Sequence, residues 1–401
     1  KKFRDFLDFG KMSLTTEFPK NANASKKIPM ELIICKNCRL FQLRHNYELK
    51  KLYNENYGYK SGINNSMHRH LEDIAKEAEK KVQLKEEDII LDIASNDGTL
   101  LKKYKNKKTI KFGIDPTIKK FKKFYPNNYL KFPGFFEKNI YNKIAKFKKS
   151  KIITSIAVFY DLPNPAKFVQ DIKSILDING IWILEQSYFP HLIQNNAYDS
   201  ICHEHLSYFM HRQLNLLLKK EKLKIIDVSF NNMNGGSARF FISHQDSQFK
   251  IKRKNLLKVL KIENKIFRNF NKAINRFRKN IINSKNKLIN LIIKLNKEKK
   301  IIHIYGASTK GNVIIQFCKI TKKMVPYAAE RNPEKYGRYT PGSFIPIISE
   351  NKSRALKPNF FLVMPWHFKK EIVLREKIFL NKGGKLIFPL PQIKIIGKKT
   401  K

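Results

Sequence analysis

Two distant stretches of the chain each run from a short apolar strand into a turn of small residues. In the first, the apolar residues 89–93 lead into the turn 94–98. In the second, residues 301–305 lead into the turn 306–312. A buried strand followed by a tight turn and a helix is the repeating unit of open α/β sheets. The chain is therefore predicted to contain two α/β sheets, each with a ligand-binding edge where its strands end.

The first turn has the features of a nucleoside-binding site. About twenty residues further on, a second strand over residues 110–114 ends in an acid, which in that place can bind ribose hydroxyls. The turn lacks the GxGxxG sequence that holds a pyrophosphate, so S-adenosylmethionine fits better than NAD. The alternative is an ordinary turn that happens to precede an acid. The predicted cofactor-binding residues are Asp92, Ala94, Asn96, Gly98, Asp115 and Pro116.

Further strands and helices extend this first unit. We predict that Leu100 and Leu101 begin a helix and that residues 166–176 form another. The apolar runs 152–159 and 181–185 predict two more strands, and the runs 223–229 and 239–243 predict an antiparallel pair that closes the sheet. The fold class is therefore α/β, with a doubly wound, Rossmann-like first unit.

The second turn resembles a phosphate-binding loop only in part. Gly306 and Gly311 have the outer spacing of such a loop, but Asn312 stands where the loop needs lysine, which excludes ATP hydrolysis. A glycine turn that leads into a helix N-terminus still favours an anionic ligand. Glu330 follows the next strand, so the two units are predicted to place one nucleotide-sized half site on each side of a cleft.

The segment Tyr198–Tyr208 is unusually rich in proton-handling side chains. It contains His203, Glu204 and His205 beside Cys202. Histidine has the unperturbed pKa nearest neutrality, so it is the natural general base. If the segment is extended, the two histidines share one face and Cys202 and Glu204 share the other. It follows a predicted strand at the ligand-binding edge, but a zinc site or a solvated polar turn also fits the residues.

Residues 1–68 are turn-rich and short on periodicity. Cys35 and Cys38 form a CxxC pair, which supplies half of the ligands that tetrahedral zinc needs, and His45 is a further ligand nearby. No second CxxC pair is present, so we expect half of a zinc-ribbon site, with or without metal. A loop containing Tyr57 and Tyr59 then leads into a helix over residues 69–82, and its tyrosines fit either burial or substrate contact.

Composition sets the size and class of the protein. The 401 residues are expected to divide into 1–68, 69–247, a basic helical bridge over 248–300, and 301–401. The formal charge of +48 fits either a polyanion partner or compositional bias, because its lysines are spread along the whole chain. Four cysteines, and no run near the ~18 apolar residues of a membrane span, predict a cytoplasmic protein. Because the chain does not begin with Met, we expect a trimmed N-terminus.

Several segments occur together in one known family. They are Cys35-x-x-Cys38, the Tyr57/Tyr59-Ser61-Gly62 loop, Asp92–Gly98, Asp199-x-x-x-His203-Glu204-His205, Gly306-Ala307 with Lys310-Gly311-Asn312, and Ala329–Pro333. Through them nearly the whole chain resembles the three-part S-adenosylmethionine-dependent C-methyltransferases that act on nucleotide-linked keto-deoxysugars. The resemblance implies a zinc-binding N-terminal domain, a Rossmann-like class I methyltransferase domain and a C-terminal Rossmann-like α/β domain, with the sugar nucleotide between them. It also implies His205 as the base, Glu204 as its neighbour and Asp115 on the cofactor ribose.

The sequence departs from this family at a few positions. Family members usually carry an earlier cysteine pair upstream of a segment like Leu7–Gly10, and many have tyrosine where Cys202 stands. Some also have asparagine and histidine near Ser155 and Phe159. These positions concern the expected substrate pocket, for which the predicted residues are Tyr208, Ser155, Phe159, Lys310, Asn312 and Glu330.

The expected mechanism is deprotonation by His205 of a carbon next to a ketone, followed by methylation of that carbon. Glu204 would orient a histidine, and a tyrosine would donate a hydrogen bond to the enolate oxygen. The predicted catalytic residues are His205, Glu204, Tyr57, Tyr59, Cys202 and His203, with Tyr208 as a third candidate donor. Two other functions stay open: an RNA-modifying methyltransferase that uses the basic surface, and a cofactor-binding interaction protein without turnover.

Overall fold

The computed structural model describes residues 2–22, 25–53, 57, 59–63 and 65–398. Its strands are β1 Phe3–Ser13, β2 Lys27–Cys35, β3 Phe41–Leu43, β4 Ile89–Ile93, β5 Ile110–Ile114, β6 Leu130–Phe132, β7 Ser150–Ile156, β8 Leu176–Ser187, β9 Ser207–Tyr208, β10 Leu223–Asn231, β11 Ser237–His244, β12 Ile302–Tyr305, β13 Ala328–Glu330, β14 Ile347–Ser349, β15 Phe360–Val363, β16 Lys385–Phe388 and β17 Lys394–Ile396. Its α-helices are α1 Leu49–Leu52, α2 Asn65–Lys81, α3 Ile118–Phe121, α4 Lys138–Ile144, α5 Pro165–Ile175, α6 Phe189–Gln194, α7 His211–Lys220, α8 Arg253–Arg268, α9 Phe270–Lys297, α10 Thr309–Phe317, α11 Glu350–Ala355, α12 Lys369–Arg375 and α13 Lys377–Asn381. Within these residues the strands form an N-terminal, a central and a C-terminal sheet.

The N-terminal sheet has the order β1–β2–β3–β9 and is antiparallel. The expectation that residues 1–68 are mostly turns is therefore wrong, because β1 and β2 are long strands. The register of β1 shifts between Asp5 and Leu7 and again between Asp8 and Lys11, which breaks the alternation by which a strand is recognised. Since β9 pairs with β3, the chain just after His205 belongs to this sheet.

The central sheet has the order β10–β11–β8–β7–β4–β5–β6. The strands from β8 to β6 are parallel, and β11 and β10 close the sheet antiparallel. Helices and loops cover both faces, so β4 is buried along its whole length. The predicted α/β, Rossmann-like fold class is confirmed, and the carboxyl ends of the parallel strands meet at one edge.

The local predictions for this sheet hold in part. Asn164 accepts a hydrogen bond from the Lys167 amide at 3.0 Å, and with this cap and Pro165 helix α5 begins one residue before the predicted position. The helix predicted after Leu100 is wrong, because only the single 3₁₀ turn Leu101–Lys103 forms there. The run 102–108 is lysine and asparagine apart from one tyrosine, so it has no apolar face to bury.

The C-terminal sheet has the order β14–β13–β12–β15–β16–β17 and is parallel except for β17. The long helices α8 and α9 join it to the central sheet. The apolar stripe of α9 shares one core with both the N-terminal and the C-terminal sheet. The buried carboxylate of Glu263 in α8 accepts hydrogen bonds from the Tyr188 hydroxyl and the His211 amide, each at 2.6 Å, which ties α8 to the central domain.

None of the helices in the described part of the chain has the length and apolar character needed to cross a membrane.

Candidate active site

The turn after β4 is bent sharply by residues in left-handed backbone conformations. Ala94, Asn96 and Gly98 have φ of 61°, 49° and 71°. A side chain at Gly98 would place its Cβ 2.8 Å from the ring of Tyr125, so the turn packs closely against that tyrosine. The Asn96 amide donates a hydrogen bond to Asp115 at 2.9 Å, which holds the acid after β5 against the turn.

Asp115 also accepts hydrogen bonds from Thr117, which directly precedes helix α3. Its Oδ1 accepts hydrogen bonds from the amide and hydroxyl of Thr117, whereas Oδ2 accepts the Asn96 amide. A carboxylate oxygen has two lone pairs, so Oδ2 retains one for a ligand hydroxyl. Burial raises the pKa of Asp115 and raises that of the neighbouring Asp92 to about 7.

The tyrosine-rich loop is fastened to the cofactor turn. The Ser61 amide donates to Asn96 Oδ1 at 2.9 Å, and the Gly62 amide donates to Asp97 Oδ2 at 3.0 Å. A cavity of about 210 Å³ opens next to this loop, and it is lined by Tyr57, Tyr59, Lys60, Ile63, Lys120, Phe121 and residues 331–334. The left-handed turn and the acid fit an S-adenosylmethionine site at this edge of the sheet.

The segment with the two histidines is a tight turn, not an extended strand. The His205 amide donates to the Cys202 carbonyl at 3.0 Å, and β9 begins only at Ser207. The prediction of two shared faces is therefore wrong. His203 packs edge-on against Tyr47 at 5.0 Å between ring centroids, whereas His205 lies against Tyr160 at 4.2 Å.

His205 is held as a neutral imidazole with a fixed tautomer. Its Nδ1 donates a hydrogen bond to the backbone carbonyl of Ser200 at 2.6 Å, and no described residue hydrogen-bonds its Nε2. Burial, together with the positive charge of Lys310, lowers the pKa of His205 to about 3. The Nε2 lone pair is thus free to accept a proton.

Glu204 does not orient a histidine as expected, because the Ser200 carbonyl performs that task. Both carboxylate oxygens of Glu204 accept the hydroxyl of Thr15, at 3.1 and 3.0 Å. Asn312 in turn donates its side-chain amide to the Thr15 carbonyl at 2.8 Å. This chain of contacts joins the histidine segment to both the N-terminal segment and helix α10.

Asp161 lies close to Glu204, and these two acids form one buried cluster with His205 and the groups that contact them. Its Oδ2 accepts the Tyr53 hydroxyl at 2.6 Å, and its buried Oδ1 has no partner among the described residues. Burial raises the pKa of Asp161 well above its ordinary value, and the charge of Glu204 adds to the effect. Tyr57 also lies within electrostatic range of Asp161, Glu204 and Asp115.

The C-terminal domain contributes a cation and an indole to this cluster. Lys310 Nζ donates hydrogen bonds to Ser200 Oγ and to the Asn234 carbonyl, each at 3.1 Å. Burial lowers the pKa of Lys310, while the neighbouring Asp199 raises it. Trp366 donates its indole N–H to Asp199 at 2.8 Å.

Some of the predicted substrate-binding residues make structural contacts instead of lining a substrate pocket. Ser155 accepts the Trp182 indole N–H at 2.8 Å and Phe159 is fully buried beside Trp182, so both support the core rather than a pocket wall. Glu330 Oε1 accepts two backbone amides of the turn that follows it.

The remaining predicted residues divide between the cluster and the cofactor turn. Burial raises the pKa of the Cys202 thiol well above its ordinary value, so the thiol is neutral. Tyr208 lies close to Cys202 and its buried hydroxyl has no partner among the described residues. Tyr59 is exposed and its carbonyl accepts the Asn96 side-chain amide at 3.3 Å, so Tyr59 belongs to the cofactor turn.

Sequence reasoning missed four residues of the cluster: Thr15, Asp161, Ser200 and Trp366. Asp161 follows β7 at the carboxyl edge of the sheet, and the rule that selected Asp115 could have found it. Thr15 and Trp366 reach the cluster through contacts between distant parts of the chain, for which the sequence carries no local signal. Ser200 lies within the segment Tyr198–Tyr208, but it acts through its backbone carbonyl, which its residue type does not reveal.

Cys35 and Cys38 lie on the tight turn after β2, where the Arg39 amide donates to the Cys35 carbonyl at 3.0 Å. In the described ranges, no group of three or more histidine, cysteine or carboxylate side chains could hold a metal ion. Tetrahedral zinc needs four ligands, so these two thiols do not complete a site there.

Comparisons with known proteins agree with the three-sheet architecture. Residues 1–53 match a family model described as "Putative zinc binding domain", residues 63–228 match "Methyltransferase domain", and residues 232–391 match "C-methyltransferase C-terminal domain". The C-methyltransferase NovU from Streptomyces niveus is 24% identical over 407 residues, which cover 99% of this chain and 95% of NovU. The C-terminal-domain model and NovU both support a C-methyltransferase. The chain is a methyltransferase whose cofactor is S-adenosylmethionine.

Solved structures overlap with less than half of this C-methyltransferase. The YcgJ protein from Bacillus subtilis is 13% identical with a TM-score of 0.34, covering 44% of this chain and 97% of that one. The CurJ carbon methyltransferase is 10% identical with a TM-score of 0.33, covering 44% of this chain and 54% of that one.

Proposed function

We propose that this C-methyltransferase methylates a carbon next to a ketone in a nucleotide-linked deoxysugar. The observation that carries the proposal is the state of His205, a neutral imidazole whose Nδ1 is bound to the Ser200 carbonyl and whose Nε2 has no partner among the described residues. A carbon acid beside a ketone requires such a base, because its proton is removed only by a positioned, unprotonated acceptor.

The base needs a counterpart where negative charge develops. When Nε2 of His205 accepts the proton, charge moves to the ketone oxygen, and donors at that point lower the barrier. Tyr57 and Tyr208 carry hydroxyls in the same cluster, and the pKa of each is raised well above its ordinary value, chiefly by burial. Both therefore keep their protons and are proposed as donors to substrate oxygens.

Glu204 and Asp161 are proposed to hold the substrate rather than to exchange the reacting proton. Glu204 is fixed by Thr15, and Asp161 has a free carboxyl oxygen that faces the cluster. Burial raises the pKa of Asp161 and so favours its neutral carboxyl, which in that form can donate a hydrogen bond to a sugar hydroxyl or carbonyl.

S-adenosylmethionine, when bound, supplies an electrophilic methyl group on a sulfonium. The left-handed turn at Ala94–Gly98 and the free lone pair of Asp115 would hold the nucleoside part of this cofactor. Tyr57 lies within electrostatic range of both Asp115 and Glu204, so the cofactor turn and the residues around the base are close enough to share one site.

Positive charge beside the cleft supports a nucleotide-linked substrate. The cavity next to the cofactor turn is lined by Lys60 of the tyrosine-rich loop, by Lys120 of the central domain and by Arg331 of the C-terminal domain. Such cations suit a diphosphate. Glu334 pairs with Lys120 at 3.3 Å across the two domains beside this cavity.

The test is to incubate the enzyme with S-adenosylmethionine carrying a labelled methyl group, and with either a nucleotide-linked 4-keto deoxysugar or total RNA. We expect label in the sugar nucleotide and none in RNA. Label in RNA alone would support the RNA-modifying alternative. Label in neither acceptor, with the cofactor still bound, would contradict the proposed substrate class.

A further inference from the structure

Lys310 has an incomplete set of hydrogen-bond partners. Its ammonium group has three N–H donors, of which the Ser200 hydroxyl and the Asn234 carbonyl each accept one at 3.1 Å. No other hydrogen bond from Nζ is formed within the described residues. The side chain is half-buried, and its remaining N–H has no acceptor among the described residues.

Charged and titratable groups surround this ammonium from several elements. Asp199 and Cys202 come from the histidine segment, Asp161 follows β7, and two imidazoles lie within electrostatic range. The imidazoles are His205 of the central domain and His367 of the C-terminal domain. Lys310 is therefore a cation within electrostatic range of both acidic side chains and neutral imidazoles.

Ser200 fixes the distance between this cation and the base. Its backbone carbonyl accepts His205 Nδ1–H, and its hydroxyl accepts Lys310 Nζ–H. Ser200 thus binds the His205 imidazole through its backbone carbonyl and the Lys310 ammonium through its hydroxyl. Negative charge that arises as Nε2 takes up a proton would lie close to a positive charge supplied by another domain.

We propose that Lys310 is a catalytic residue whose uncommitted N–H binds the substrate's ketone oxygen as it becomes an enolate. This inference rests on the proposed function and assigns the main electrostatic stabilisation to the C-terminal domain. Phenols donate through a neutral O–H, whereas an ammonium also brings a full opposite charge, which strengthens the bond to a developing oxyanion.

The step balances without any further reactant. The C–H bond next to the ketone breaks and its proton goes to His205 Nε2. The electron pair of that bond forms a carbon–carbon double bond, and the carbonyl π pair moves to the oxygen, which accepts the N–H of Lys310. When the carbonyl re-forms, the double-bond pair makes the new bond to the methyl carbon and the methyl–sulfur bond breaks, leaving a neutral thioether.

The experiment follows exchange of the proton next to the ketone with D₂O by proton NMR, in the presence of S-adenosylhomocysteine, with a nucleotide-linked 4-keto deoxysugar. Lys310→Met should slow this exchange and methyl transfer alike by about 100-fold or more, as loss of one oxyanion donor does elsewhere, with a much smaller change in KM. Lys310→Gln, which keeps a donor but no charge, replaces the Met variant if the latter does not fold, and should lose a similar factor.

Lys111→Met is the matched control. Lys111 is a buried lysine that also donates to a carbonyl and a hydroxyl, but at the beginning of β5, away from the ligand-binding edge. Its folded fraction should exchange and methylate at the wild-type rate. Wild-type exchange in the Lys310 variants, or a rise in KM without loss of kcat, would overturn the inference. Wild-type enzyme that neither exchanges nor methylates this substrate would overturn the proposed function itself, and the role of Lys310 with it.

Discussion

The Ser200 carbonyl accepts a hydrogen bond from His205 Nδ1 at 2.6 Å, and this contact decides which ring nitrogen can act as a base. A backbone carbonyl can only accept, so Nδ1 must carry the proton and Nε2 must be unprotonated in the neutral ring. The tautomer is therefore set by a main-chain carbonyl, which no side-chain substitution at position 200 removes.

Replacing His205 should remove the chemical step and leave the cofactor site intact. His205→Ala is expected to lower kcat at least about 100-fold, because a general base contributes at least that factor. The cofactor turn at Ala94–Gly98 makes no hydrogen bond to His205, so calorimetry should give an unchanged Kd for S-adenosylmethionine.

The matched control for that variant is His303→Asn. His303 is another buried histidine in strand β12 of the C-terminal sheet, where it hydrogen-bonds Ser353 of helix α11, and burial lowers its pKa to about 4. This control should keep wild-type kcat per folded molecule. Turnover in His205→Ala equal to that of the control would remove His205 from the mechanism.

A second imidazole near Lys310 provides a competing base. His367 has a buried Nδ1 without a partner among the described residues, and burial lowers its pKa to about 3. Because nothing described fixes its tautomer, His367→Gln is expected to cost less than about tenfold in kcat, well short of the loss for a positioned base. Steady-state kinetics of both variants decides between the two histidines, and a severe loss in His367→Gln with activity retained in His205→Ala would reverse the assignment.

The acid side of the pH profile should reflect the lowered pKa of His205. An ordinary histidine would lose its base form below its usual pKa of 6.5, but burial lowers the pKa of His205 to about 3. We therefore expect kcat/KM to stay level as pH falls through 6.5, which stopped assays at saturating cofactor can measure.

That profile requires a check on folding. A histidine whose folded-state pKa lies below its unfolded value costs stability as pH falls below the unfolded value, because the unfolded chain then binds more protons. Circular dichroism at each pH separates this loss from loss of the base. An acid limb centred near 6.5 in fully folded enzyme would contradict the assigned state of His205.

Asp161 should tolerate loss of its charge but not loss of its side chain. Burial raises its pKa well above the ordinary value, which favours the neutral carboxyl, and asparagine resembles that form. Asp161→Asn is expected to keep kcat within about tenfold, whereas Asp161→Ala leaves the Tyr53 hydroxyl unpaired and should lose more. Equal, severe losses in both variants would show that the ionised carboxylate is required.

Substitution of Phe159 tests whether this residue belongs to the hydrophobic core or to the substrate pocket. It is fully buried against Trp182 and Phe168, so Phe159→Ala should lower the free energy of unfolding by about 3–5 kcal/mol in urea titrations. KM of the folded fraction should stay unchanged. A raised KM with unchanged stability would restore Phe159 to the substrate pocket.

The sequence predicted the central and C-terminal sheets because their strands are continuous apolar runs bounded by turns. Residues 89–93 and 110–114 coincide with β4 and β5 for this reason. The N-terminal sheet could not be recognised, since shifts of register in β1 disturb the two-residue period.

The candidate site was only partly visible in the sequence. The density of ionisable groups between Tyr198 and Tyr208 marked its location, but not the turn that directs His203 away from His205. The contacts from Trp366 to Asp199 and from Lys310 to Ser200 span more than a hundred positions. Such contacts follow from how the domains pack, and no local pattern encodes them.

The central claim is that the methyl group arrives on carbon and that His205 prepares that carbon. The direct measurement is NMR of the product made from S-adenosylmethionine with a ¹³C-labelled methyl group and a nucleotide-linked 4-keto deoxysugar. The account predicts a methyl carbon coupled to the ring carbon next to the ketone with wild-type enzyme, and at most about one hundredth of that product in the same time with His205→Ala. A label bound to oxygen or nitrogen, or a carbon-methylated product from His205→Ala at the wild-type rate, would contradict it.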